Sequence, residues 1–335
     1  MDAPARPDAT PPPVSPEREG PPSRGDPLAG LLEGPRARGA LMIRAGFDPP
    51  WAVRVEDRAP LTVMLVVRGA AWVVPDEGER IRLTAGDLAI ARGPGAYTCA
   101  DDPATAPQAL ILPHGQCAHP DGRLLNGSMD LGVRAWGDRL DGSTVVFIGT
   151  YMGDGGISGR LLDALPPLLS LTCDVWQCPL TPLLADEIGR DEPGQEVVLD
   201  RLLDLLVIAA LRAWFSRPEA EAPAWYRAMA DPVVGRVLRL VQHDPAHPWT
   251  VASLAAKAGV SRAGLARRFT DLVGEPPMTY LTGWRLALAA DLLRDTDDTI
   301  AAIARQVGYG SAFALSSAFK RVYGVSPQEH RTRAA

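Results

Sequence analysis

The sequence predicts an α+β protein in two parts: an N-terminal antiparallel β-barrel followed by helices, and a C-terminal all-α unit with two helix-turn-helix motifs. Three observations predict it. Between residues 61 and 99, LTVMLVVRGAAWVVPDEGERIRLTAGDLAIARGPGAYTC alternates β-branched and apolar residues between short Gly, Pro and Asp turns. From Gly159 onward Leu and Val recur at helical spacing. In the last third, one pattern of caps, glycines and aromatic residues occurs twice. At 335 residues and 46% hydrophobic composition, the chain is long enough for two cores.

Residues 1–36, rich in Pro and charge and without the apolar run of a secretory signal, predict a disordered tail. No export is expected, and the cytoplasm is the expected compartment. The longest apolar stretch, Leu205 to Leu211, is bounded by Asp204 and Arg212 and falls short of the ~20 residues of a membrane span, so no membrane partner is expected. Four cysteines are too few for a disulfide scaffold. Residues 37–215 hold the strands, including STVVFIGTYM, and then the segments GRLLDALPPLLSL, PLLADEI and EVVLDRLLDLLVIAALRAWF, all predicted helical. The last is apolar around most of its circumference and needs cover on more than one side. A second copy of the chain supplying that cover predicts a homodimer through Val197, Leu199, Leu202, Leu203, Leu206, Ile208 and Leu211, and packing on the strands is the alternative. The Pro- and Glu-rich stretch 216–226 is an expected linker, and 227–335 is the helical unit.

Charge divides along the same line. From Asp231 to the end there are 13 Lys and Arg against 9 Asp and Glu, whereas the whole chain carries −6. Both lysines of the sequence, Lys257 and Lys320, fall in this basic part. A basic unit joined to an acidic one suits a nucleic-acid-binding domain joined to one that binds something else.

The repeat aligns by its punctuation. Thr250, Gly259, Phe269, Gly274 and Pro277 of the first copy match Thr299, Gly308, Phe319, Gly324 and Pro327 of the second. Thr250 and Thr299 open a helix as N-caps. Gly259 and Gly308 end it with a positive φ. Ser261 and Ser311 then cap a second helix, whose inner side is Leu265 with Phe269, or Leu315 with Phe319, each pair at i, i+4. Helix, glycine turn and capped helix make a helix-turn-helix, at 250–273 and again at 299–323. With those pairs facing in, Arg262, Ala263, Ala266 and Arg267 face out, flanked by Arg268. In the second copy Ala312, Phe313, Ser316 and Ser317 face out, and Lys320 and Arg321 stand at the helix end. Arg262 and Arg267 are candidates for base-edge readout through guanine, or else touch phosphate, and Lys320 and Arg321 are phosphate cations.

The last hundred or so residues resemble the DNA-binding domain of the AraC/XylS family of bacterial transcription regulators, and GYGSAFALSSAFKRVYGVSPQEHR closely matches that family's C-terminal signature. The resemblance implies two helix-turn-helix units joined by a long helix, here MTYLTGWRLALAADLLRD. Double-stranded DNA is the implied partner, with RNA polymerase as a second if the protein activates. The family usually has Arg where Ser317 stands, so direct readout by the second unit is expected to be thin. The upstream strands resemble the cupin-type effector domain found in one branch of the family, which implies a small-molecule effector.

Metal-binding cupins bring two His and a carboxylate on one strand pair to a third His on a later strand. Here the corresponding positions are Val63 to Leu65 and Tyr97, so an enzyme is not expected and no cofactor is predicted. The barrel then holds either an apolar ligand pocket or a structural core. His114, Cys117 and His119 lie within six residues, with Cys99 on a nearby strand, a set that suits zinc or redox chemistry, though with irregular spacing. Cys173 and Cys178 form a second thiol pair. A thiol-based redox regulator, with Cys99 and Cys117 as the leading pair, and a non-enzymatic ligand-binding module are the alternatives to an effector-controlled regulator.

Overall fold

The computed structural model describes residues 41–125, 127–151, 162–176, 178–217 and 222–334. The proposed tail at 1–36 and part of the proposed linker lie outside them. One sheet holds seven strands in the order β10-β11-β1-β12-β3-β6-β13. These are β1 (Leu41–Phe47), β3 (Leu61–Arg68), β6 (Leu88–Arg92), β10 (Asp130–Gly132), β11 (Ala135–Gly137), β12 (Thr144–Tyr151) and β13 (Leu168–Leu171). The other holds six, β2 (Ala52–Val55), β4 (Ala70–Pro75), β5 (Ile81–Thr84), β7 (Tyr97–Ala100), β8 (Ala109–Leu112) and β9 (Gln116–Ala118), in the order β5-β4-β7-β2-β8-β9. The expected barrel takes the form of two open sheets face to face. Most pairs are antiparallel, but β1 with β11 and β2 with β8 are parallel, a topology that alternation alone does not encode.

The sandwich has two cores because the seven-stranded sheet is covered on both sides. Met64 and Val66 of β3, with Phe47 of β1, face Val53 and Val73 of the other sheet. Val63 and Leu65, one residue out of step, face the helices α1 (Thr181–Ile188) and α2 (Gln195–Phe215). This explains why β3 is buried at six consecutive positions where a half-exposed strand would alternate. Helix α2 approaches the sheet so closely that a Cβ at Gly149 would lie 2.3 Å from Leu203 Cδ1. Leu199, Leu203, Leu206 and Leu211 are all buried in this core, so packing on the strands accounts for much of the apolar surface that suggested a dimer. Residues 168–171, expected to be helical, instead pair with β6 as an edge strand. The preceding Pro166-Pro167 removes two backbone donors and disfavours a helix through that point.

The C-terminal unit begins with α3 (Ala224–Ala228), α4 (Val234–His243), α5 (Val251–Ala258) and α6 (Arg262–Val273). It continues through α7 (Pro277–Asp295) to α8 (Ile300–Gln306), α9 (Ala312–Tyr323) and α10 (Pro327–Ala334). Two separate cores form around α5–α6 and α8–α9, and α7 belongs to both. Its first turns give Tyr280 and Leu281 to one, and its later turns give Leu286, Ala289, Ala290 and Leu293 to the other. The 19 residues of α7 span about 28 Å, comparable to the ~34 Å of one DNA turn. Tyr226 of α3 packs on the core of the N-terminal unit, its ring centroid 4.8 Å from that of Phe215 and tilted by 33°, while its neighbour Trp225 packs on the first C-terminal core.

Candidate nucleic-acid interface and effector cavity

The two helix-turn-helix units form by the local chemistry their sequence predicts. Thr250 Oγ1 accepts from Ser253 N–H at 3.0 Å, and Ser253 Oγ in turn accepts from Thr250 N–H at 2.9 Å, closing a capping box at the start of α5. Ser261 accepts from Gly264 N–H at 3.1 Å to open α6. In the second unit Thr299 accepts from Ala302 N–H at 3.2 Å and Ser311 from Ala314 N–H at 3.1 Å. Gly259 and Gly308 hold φ of 73° and 84° at the intervening turns. Leu265, Phe269, Leu315 and Phe319 are all fully buried. The inner face of each second helix is thereby set, and with it the outer face.

On α6, Arg262, Ala263, Arg267 and Arg268 are exposed and Ala266 is half-buried. Arg262 and Arg267 make no ion pair among the described residues. Arg268 differs: its Nε and Nη2 donate to Asp231 Oδ2 at 3.0 and 2.6 Å. Asp231 Oδ1 also accepts from the backbone of Val233 and Val234 at the start of α4. Arg268 is therefore a tie between α6 and α4, and the spare cations of this face are the other two arginines. Burial raises the Asp231 carboxyl, but hydrogen bonds from Val234, Arg268 and Val233 outweigh it and hold the group below the usual carboxylate range.

On α9, Phe313, Ser317, Lys320 and Arg321 are exposed and Ala312 and Ser316 half-buried. Phe313, Ser317 and Lys320 lie at i, i+4 and i+7, hence on one stripe. Arg331, which ends the signature, faces inward: its Nε and Nη2 donate to Leu293 O at 3.1 Å and Asp298 O at 2.6 Å, joining α10 to the end of α7. Arg285 does similar work for the first unit, donating to Pro245 O and His247 O at 2.7 and 2.8 Å. Neither structural arginine is marked in the sequence, because a basic side chain near a recognition helix reads equally as a phosphate contact.

The N-terminal unit encloses a cavity of about 590 Å³ between its two sheets. Alternate residues of facing strands line it: Val53 and Val55, Thr62 and Met64, Tyr97 and Cys99, Val146, Ile148 and Thr150. Phe47 and Trp51, stacked at 4.4 Å, and Trp136, edge-on to Phe47, supply aromatic wall. Asp57 is a polar member whose carboxyl is raised by burial, against a hydrogen bond from Ala59 N–H. Tyr97 is pushed well above its ordinary value by burial first, then by Cys99 and Asp57. The aromatic members were not singled out by sequence, since WAVRV and AWG read as ordinary strand.

Cys99 and Cys117 both line this cavity, but β2 and β8 lie between their strands. At ~4.8 Å per strand, β7 and β9 are about 14 Å apart across the sheet, and a disulfide needs Cα atoms within about 7 Å. The leading thiol pair is thus separated by its own sheet. Burial pushes the Cys99 thiol up to about 12 and Cys117 up as well. Burial, then the Asp87 and Asp174 carboxylates, raises Cys173. Each shift removes thiolate, the reactive form. All four cysteines are free. No group of three or more His, Cys, Asp or Glu among the described residues could hold a metal ion, so His114, Cys117, His119 and Cys99 do not converge.

A chain with a capped, duplicated helix-turn-helix beside a β-sandwich enclosing an apolar cavity has the make-up of a DNA-binding regulator. The comparisons agree. A cupin family model matches residues 26–216 and a helix-turn-helix domain model residues 254–333. An AraC-like transcription regulator of Streptomyces lividans is 34% identical over 313 residues, covering 91% of this chain and 98% of that one. The transcriptional regulator AlkR of Acinetobacter baylyi is 29% identical, covering 84% of this chain and 90% of that one. Among solved structures, the DNA-binding domain of AdpA in complex with a target DNA is 33% identical, covering 31% of this chain and 92% of that one at a TM-score of 0.29. The protein belongs to the family of AraC-like transcription regulators and is a DNA-binding regulator with a cupin N-terminal domain. No helix among the described residues is long and apolar enough to cross a membrane.

Proposed function

We propose that the protein binds one asymmetric DNA site in the cytoplasm through α6 and α9, and that a small, mainly apolar molecule in the sandwich cavity sets its affinity. The observation that carries the first part is the pair of outward faces fixed by the buried Leu265/Phe269 and Leu315/Phe319. Arg262 and Arg267 then serve base edges and the backbone of one major groove, with Ala263 and Ala266 allowing close approach. Ala312, Phe313, Ser316 and Ser317 meet the next groove, and Lys320 and Arg321 its phosphates. The units are tandem in one chain, so their half-sites are unlike and lie about one turn apart.

The cavity supports the second part. Its aromatic and β-branched walls suit an apolar ring or chain, with Thr62, Tyr97 and Thr150 placed for one or two hydrogen bonds. Tyr226 and Trp225 offer a route for coupling, being packed on opposite units. A ligand changes DNA affinity only by as much as it distinguishes two arrangements, about 1–3 kcal/mol in typical cases. Exposed Val197, Val198 and Leu205 on α2, with Leu183 on α1, support a homodimer on the solvent side of that helix pair. RNA polymerase is a partner if the protein activates.

Selection of genomic fragments by the purified full chain, followed by footprinting, tests the DNA reading, and protection confined to half a turn overturns it. Filling the cavity with Ile148→Trp is expected to abolish any response of DNA affinity to apolar compounds that stabilise the parent protein thermally. A response that persists undiminished in the variant overturns the cavity reading.

A further inference from the structure

We infer that Phe313 reads thymine methyl groups, so that the second half-site is specified by an apolar contact where the first is specified by arginine. The inference rests on α9 being a DNA-reading helix and adds the chemistry of what it reads. Phe313 is 82% exposed, more than any other large apolar residue described. It stands second in α9, two residues after the Ser311 cap, and the N-terminal residues of a recognition helix are those that reach base edges. The fold does not need it there. Leu315 and Phe319 fill the core of this unit, and Phe313 takes no part in it.

The rest of the outward face narrows the readout. Ala312 offers only a methyl, and Ser316 and Ser317 offer short hydroxyls that serve any base. Lys320 lies two turns further on, toward phosphate. No Arg, Asn or Gln stands among residues 312–319 to form a bidentate contact with guanine or adenine. The thymine C5-methyl is the apolar group a base pair presents in the major groove. A large, exposed aromatic ring among small side chains is matched to it in polarity, and the small neighbours let the helix come close enough for contact. The second half-site should therefore contain thymine at one or two positions opposite the start of α9.

Replacement of thymine by deoxyuridine deletes the methyl and leaves every hydrogen-bonding group in place, so it isolates this contact. Preferred duplexes are selected from a random library with the full-length parent protein, and each half is then resynthesised with deoxyuridine. The parent is expected to lose about fourfold in affinity for each contacted methyl removed, in one half only. Phe313→Ala should bind the thymine duplex with a comparable loss and be indifferent to deoxyuridine, while Phe313→Leu keeps the discrimination. Circular dichroism and thermal unfolding should match the parent, since the side chain is exposed. Parent binding that is equal on thymine and deoxyuridine while Lys320→Ala still weakens binding overturns the methyl readout alone. If neither Lys320→Ala nor Phe313→Ala affects binding, the assignment of α9 to DNA fails with it. Phe313→Ala that binds DNA like the parent but no longer alters transcription places the ring on a protein partner and also overturns the inference.

Discussion

The two helix-turn-helix units have the same frame and different surfaces. Both start on Thr, turn on a positive-φ Gly, restart on Ser and bury a Leu–Phe pair. Outside that frame the first carries Arg262 and Arg267, and the second carries Phe313, Ser316, Ser317 and Lys320. The frame is repeated because caps, turn and buried pair are what make two short helices stable. The outward residues are free to diverge because folding asks little of them. On the proposed reading, the difference gives polar, charge-assisted readout to one half-site and apolar readout to the other.

The frames themselves differ at the turn glycine, and this separates the units most sharply. A Cβ at Gly308 would meet Ala246 Cα at 2.8 Å and Ala246 O at 2.9 Å, whereas one at Gly259 meets nothing within 4 Å. Both carry the ~1–2 kcal/mol cost of left-handed backbone for a residue with a side chain, and Gly308 adds overpacking of about 1–3 kcal/mol. Gly308→Ala is thus expected to lower the stability of the C-terminal unit by about 2–5 kcal/mol and Gly259→Ala by about 1–2 kcal/mol. Hydrogen exchange resolved by segment distinguishes them, and equal effects would show that the second turn yields.

Readout comes next in size. Arg267→Ala should cost about 1–3 kcal/mol at the preferred site and relax preference at one base pair. Lys320→Ala should weaken all sequences alike and reduce the salt slope by about 1. Should both variants lose affinity uniformly in a competition against single-base variants of the site, α6 has no base contact at Arg267. Removal of a cap, Ser261→Ala or Ser311→Ala, should cost about 1 kcal/mol in either unit. A large disparity would mean the two frames are less alike than their hydrogen bonds.

The smallest effect is in pH. Among the described residues, Asp231 ties Arg268 to α4 in the first unit, and its folded pKa is depressed. Its contribution is present above the ordinary carboxylate value and is lost as pH falls below about 4 and through the folded value. Segment-resolved exchange at falling pH should show α4 and α6 loosening before α9. Asp231→Asn should abolish that order, because the variant lacks the contribution at every pH and its α4 and α6 are already looser than the parent's at neutral pH.

The four helices of the repeat, their caps and their buried pairs were legible in the sequence. Each rests on contacts within a few residues, such as Thr250 with Ser253 or Leu315 with Phe319, and chemistry at that range is written in spacing. The sequence therefore determined the helix-turn-helix units, their outward faces and the family they belong to. Tertiary structure decided the rest. That Arg268 and Arg331 are structural ties depends on Asp231 and on Leu293 and Asp298, between 33 and 38 residues away in the chain. The cavity, the separation of Cys99 from Cys117 and the burial of Leu203 and Leu206 depend on which strands become neighbours. Alternation says that a strand has two faces. Only pairing across the whole sheet says which face meets the helix, which meets the cavity, and how far apart two thiols come to rest.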